Sequence, residues 1–201
     1  MEIGKAMWSV ILTAFIALTV AHAAFGGGKA SRNWRVIKQY RPVHIMTSIP
    51  VIGLVIATAF MLYYFVPFMD KNPILWVLSS LFEWGDGSGQ GNIMFSGLEW
   101  KYYAVVFLPV LFFALPSLAR YEEDDFREGT RNWAHGVRRS IKFGLVHLIM
   151  LIPLGAALAL SIGGLWFTYQ YFKGGVERST VYHSAYNSIL VTILFATLFV
   201  S

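Results

Sequence analysis

Glu122, Glu123, Arg127, His147, His183 and Asn187 are strongly polar side chains set in or against the longest apolar runs of a 201-residue chain. Groups of this kind are costly at membrane depth, which makes them functional candidates by default. Glu123 and Arg127 are four apart, so on a helix they share a face and can form an ion pair, leaving Glu122 to point elsewhere. Phe143 and His147, in FGLVH, are also four apart and line one stripe about a turn in height. HSAYN repeats that spacing, so His183 and Asn187 present two hydrogen-bond donors toward a common point. A carboxylate beside a neutral imidazole can take a proton from water and so supply a nucleophile without a covalent intermediate. A second imidazole and a carboxamide can stabilise the oxyanion of a tetrahedral intermediate. Together these groups suffice to hydrolyse an amide. Each alone has a plainer explanation, since a single membrane histidine usually bonds helix to helix and an EEDD run is usually a solvated face. Only the joint pattern points to catalysis.

The elements that must position these residues are set by composition. Apolar residues make up 56% of the chain and charged ones 13%, about half the charged share of a soluble domain. Apolar runs at 7–26, 44–68, 102–119, 141–172 and 181–200 are near or above the ~20 residues that cross a bilayer. They are continuous rather than alternating, which excludes a β-barrel. The fold class is therefore all-α, a polytopic transmembrane bundle of about six membrane helices. Residues 1–201 form a single integral membrane domain. The first run resembles a signal peptide with Ala21-His22-Ala23 as cleavage site, but it is long enough to span and is read as a retained helix.

Pro116 is expected to kink the third run, with a second helix starting near Tyr121 to carry the acidic cluster. Pro153 is expected to split the 141–172 run. Gly174 and Gly175 should then stop a helix, with Ser179 or Thr180 capping the last one. The connection at 69–100 reads as an extramembrane loop containing a short interfacial helix at 73–84, with Trp76 and Trp84 at headgroup level. GDGSGQG at 85–91 loosely imitates a calcium loop but has Gly97 where a bidentate Glu is required, so a plain loop is the reading.

The net charge of +5 is distributed as a topology signal. Lys29, Arg32, Arg35, Lys38 and Arg41 fill one connection, which places residues 28–43 in the cytoplasm by the positive-inside rule. Following the chain, 69–100 lies outside and 120–142 returns to the cytoplasmic side. A basic excess that flanks membrane runs does not indicate a nucleic-acid partner. The absence of cysteine rules out thiol chemistry.

EEDDFR at 122–127, FGLVH at 143–147 and HSAYN at 183–187, in that order, resemble the motifs of the CPBP family of intramembrane glutamic proteases, which includes the CAAX prenyl-protein endopeptidases and bacteriocin-processing proteins. The resemblance covers residues 120–190 and implies a protease core there. It implies that Glu122 and His147 activate water, that His183 and Asn187 stabilise the oxyanion, and that Glu123, Arg127 and Phe143 support them. Two departures stand out: acids at Asp124 and Asp125 where the family has apolar residues, and Glu128 before Gly129 where it has glycine directly after the arginine.

The expected function is an intramembrane endopeptidase acting on a membrane-associated protein or peptide. The alternative is a catalytically inactive relative that serves as an accessory subunit of a larger membrane complex. Membrane lipid is a partner in either case. No cofactor or metal is expected. The competing chemistries are zinc held by Glu122, His147 and His183, and haem or chlorophyll ligated by His22, His44, His147 or His183.

Overall fold

The computed structural model describes residues 2–74, 100–150 and 152–197. They form helices α1 (Glu2–Phe25), α2 (Lys29–Ile37), α3 (Pro42–Phe65), α4 (Trp100–Phe126), α5 (Trp133–Val146) and α6 (Leu154–Thr197), with 3₁₀ turns at Gly26–Gly28 and His147–Met150. No strand occurs among the described residues. The interfacial helix expected at 73–84, apart from Pro73 and Ile74, and the 85–91 loop lie outside the described residues.

Two helices, at Pro42–Phe65 and Ala104–Phe126, are long and apolar enough to cross a membrane. Helix α3 turns Met46, Ile49, Phe60, Met61 and Phe65 outward. Helix α6 instead concentrates buried polar groups near its middle, among them Gln170, Ser179, Thr180, His183 and Ser184.

Local chemistry explains the turns. Gly27 and Gly28 adopt φ of 56° and 73°, a region that favours glycine, and this reverses α2 against the end of α1. Buried Asn33 then donates to the Ala23 and Ala24 carbonyls at 2.9 and 3.1 Å, groups a helix end leaves without partners. Ser117 of α4 donates to Asn33 Oδ1 at 2.6 Å and accepts from Arg32 at 3.2 Å. A polar knot thus ties α1, α2 and α4 together. Beside it Val20, Ala23 and Ala24 pack on Ala114, small side chains that let helices approach closely.

The expected helix start near Tyr121 is not found. Helix α4 runs unbroken from Trp100 to Phe126 with Pro109 and Pro116 inside it, and the acidic cluster forms its last turn. A proline removes one backbone hydrogen bond, and here the contacts of α4 with α1, α2 and α6 carry the helix through. Pro153 does divide its run: α5 ends at Val146, a 3₁₀ turn follows, and α6 begins at Leu154. Asn72 donates to the Leu148 and Ile152 carbonyls at 3.0 and 2.6 Å, satisfying acceptors freed at that break. Helix α6 bends at Gly174 and Gly175, the latter at φ 68°, into an amino-terminal and a carboxy-terminal arm. The end of α4, the length of α5 and both arms of α6 surround the site.

Candidate functional site

The last turn of α4 delivers two adjacent carboxylates to one imidazole. Glu123 and Arg127 are 0% exposed and His183 is 1% exposed, so every charge here requires a partner. Glu123 Oε1 stands 2.8 Å from His183 Nδ1. Its Oε2 accepts from the Ser179 hydroxyl and lies 3.7 Å from Arg127 Nε, the pairing that the spacing of four predicts. The Arg127 guanidinium sits 4.3 Å from the Phe143 ring centre and 5.6 Å from that of Phe167, within cation–π range. Its Nη2 donates to the Gly164 carbonyl at 3.2 Å.

Glu122 makes no ion pair with Arg127, yet it approaches the same imidazole as Glu123. Its Oε2 lies 3.3 Å from His183 Nε2, because the imidazole enters between the two carboxylates and offers one nitrogen to each. Glu122 Oε2 makes no hydrogen bond among the described residues, so its contact with His183 is an ion-pair approach, whereas Glu123 meets the same ring at hydrogen-bond distance.

His147 opens the 3₁₀ turn that follows α5. Its Nδ1 is 2.7 Å from the Phe143 carbonyl oxygen, which can only accept, so Nδ1 carries a hydrogen. The Phe143 ring joins the two histidines, meeting His147 edge-on at 4.8 Å and His183 at 5.5 Å between centroids. His183 also stacks on Phe167 at 4.0 Å. Its ring is therefore held by two aromatic neighbours and by Glu123 at Nδ1.

The structure thus brings together Glu122, Glu123, Arg127, Phe143 and His183, with His147 attached through Phe143. Asn187 follows one turn after His183 and is half-buried. No hydrogen bond or ion pair joins Glu122 to His147, or Asn187 to the other members, among the described residues. No group of three or more His, Asp or Glu side chains among the described residues is arranged to hold a metal ion.

Three contributors were not read as site residues. Ser179 was expected as a helix cap; instead its hydroxyl lies between Glu123 and the Phe167 carbonyl, the latter at 2.9 Å. Its position four residues before His183 puts both on one face, a signal the sequence does contain. Phe167 carries no such signal. Tyr40, from the α2–α3 connection, bonds Ser184 and, at 3.2 Å, Ser188, the residues directly after His183 and Asn187. Burial raises the Tyr40 hydroxyl above the usual phenol range, against the opposing pull of Ser184 and Ser188.

No protein-family model, curated protein or solved structure matches the chain.

Proposed function

We propose that the chain is an intramembrane endopeptidase in which Glu122 activates water, as its resemblance to the CPBP glutamic proteases implies. The observation that carries this reading is the meeting of Glu122 and Glu123 at the His183 imidazole, with His147 joined to that ring through Phe143. The Glu122 carboxylate takes a proton from a water oriented by His147 Nε2. The water oxygen bonds to the substrate carbonyl carbon, and the displaced π electrons form an oxyanion. The His183 ring and the Asn187 carboxamide donate to that oxyanion. Collapse of the intermediate breaks the C–N bond as Glu122 passes its proton to the leaving nitrogen. Glu123, Arg127 and Ser179 keep His183 oriented throughout.

In this reading about six helices cross the bilayer, with α3 and α4 as the clearest spans. Residues 28–43 and 120–142 face the cytoplasm. A contact between these segments supports a common side: the Lys29 ammonium lies 5.2 Å from the Tyr121 ring centre. The substrate is a membrane-associated protein or peptide cut near that face.

The test is cleavage of a library of membrane-spanning peptides by the purified chain in detergent. The wild type should cleave, and His147→Ala should lose about a hundredfold or more. A His147→Ala variant that cleaves at the wild-type rate would contradict the assigned role. Full biological function in that variant would instead fit an inactive accessory subunit.

A further inference from the structure

The α2–α3 connection and the bend of α6 flank an open cavity of about 720 Å³ that the catalytic reading does not use. Lys38, Arg41 and Arg178 line it, together with His44, Tyr182 and Glu177. Its size falls within the roughly 300–1,000 Å³ of small-ligand sites. Its charge is unbalanced, because the carboxylate of Glu177 pairs with Arg120 instead. Neither Lys38, Arg41 nor Arg178 has a carboxylate partner among the described residues.

These cations do more than mark topology, because one of them is built into place. Arg178 Nε donates to Oε1 of buried Gln170 at 2.9 Å, and its Nη2 donates to the Tyr182 hydroxyl at 3.3 Å. Its guanidinium carbon lies 5.1 Å from the Tyr182 ring centre, and that ring also meets His44 edge-on at 4.6 Å. Gly174 makes the room: a Cβ there would stand 2.8 Å from Arg178 Cδ. Two guanidinium groups and an ammonium, brought from two separate elements, match the chemistry of a phosphate group. Val43 and Val181 also line it and give an apolar edge that an acyl chain can follow.

We propose that this cavity binds a phosphate group, presented by an anionic phospholipid headgroup or as the free ion. A bound phosphate would draw Lys38 and Arg41 toward Arg178, the residue before Ser179, and so clamp the connection onto the arm that carries His183. The proposal does not rest on the protease reading.

Thermal unfolding of the full chain in a neutral detergent tests it, with added phosphatidylglycerol, phosphatidylcholine or inorganic phosphate at matched ionic strength. Phosphatidylglycerol should raise Tm saturably and phosphatidylcholine should not, as expected for a ligand that binds the folded state. Arg41→Gln, Arg178→Gln and Lys38→Gln should each raise the concentration at half-effect, by about tenfold for the arginines. Gly174→Ala, which keeps every charge, should weaken binding by displacing Arg178. Arg35→Gln, in the same basic segment but outside the cavity, should change nothing. A Tm rise with phosphatidylglycerol alone identifies a lipid site, and an equal rise with inorganic phosphate identifies a free-anion site. The proposal is overturned if neither compound shifts Tm, or if Arg35→Gln weakens the response as much as Arg41→Gln.

Discussion

Glu123 Oε1 and His183 Nδ1 stand 2.8 Å apart across 60 residues of sequence, both buried. This contact orients the imidazole, and Arg127 supplies the charge that lets Glu123 remain ionised there. Removing either partner of a buried pair strands the other. Glu123→Ala and Arg127→Ala should each lose about 3–5 kcal/mol of stability. The double variant should lose less than the two losses added, with a coupling of about 0.5–3 kcal/mol. Chemical unfolding in detergent reads all three values; strict additivity would show that the pair is not coupled.

Ser179 positions Glu123 rather than touching substrate. Ser179→Ala leaves the Glu123 carboxylate short of one donor, at a cost of about 1–3 kcal/mol. In the protease reading kcat should fall with KM unchanged, because the oriented imidazole acts in the transition state. An unchanged kcat with the same stability loss would make Ser179 purely structural.

Two glycines separate tight packing from open space. A Cβ on Gly144 of α5 would lie 2.3 Å from the Ala157 carbonyl oxygen and 2.5 Å from Ser161 Oγ of α6. Gly144→Ala must therefore spread the two helices that hold His147 and His183, costing about 1–3 kcal/mol. Gly53 of α3 faces open space, so Gly53→Ala should be neutral or stabilising by up to about 1 kcal/mol. Paired unfolding curves distinguish the two.

Much of the site was legible where partners are close in sequence. The spacing of four gave the Glu123–Arg127 pair, and the same spacing placed Phe143 on His147. Pro153 announced the break between α5 and α6 because it opens a helix there. Pro116 misled, since a single missing hydrogen bond does not break α4 while its neighbours hold it. The convergence of Glu122 and Glu123 on His183 depends on α4 packing against α6, and spacing within either helix cannot report that. Ser179 read as a cap because serine commonly begins helices, whereas the helical arm already runs through it from the bend at Gly174 and Gly175.

Tyr40 gives the connection between α2 and α3 a pH dependence. Its folded pKa is raised by burial above the ordinary value of 10.0, so the native state keeps the phenol proton longer than the unfolded chain does. Its contribution to stability is complete below pH 10.0 and is lost as pH rises through the higher folded value. Wild-type stability should therefore fall more steeply on the alkaline side than that of Tyr40→Phe, as measured by unfolding across that range. Parallel profiles would contradict this.

The central claim is that Glu122 activates water for peptide-bond hydrolysis. The most direct measurement compares the protein amino termini generated when membranes are incubated with reconstituted wild type or with Glu122→Gln, using terminal-amine labelling and mass spectrometry. The account predicts new termini with the wild type and none with Glu122→Gln, whose folding is verified by an unchanged unfolding curve. Identical sets of termini from the two proteins would contradict it.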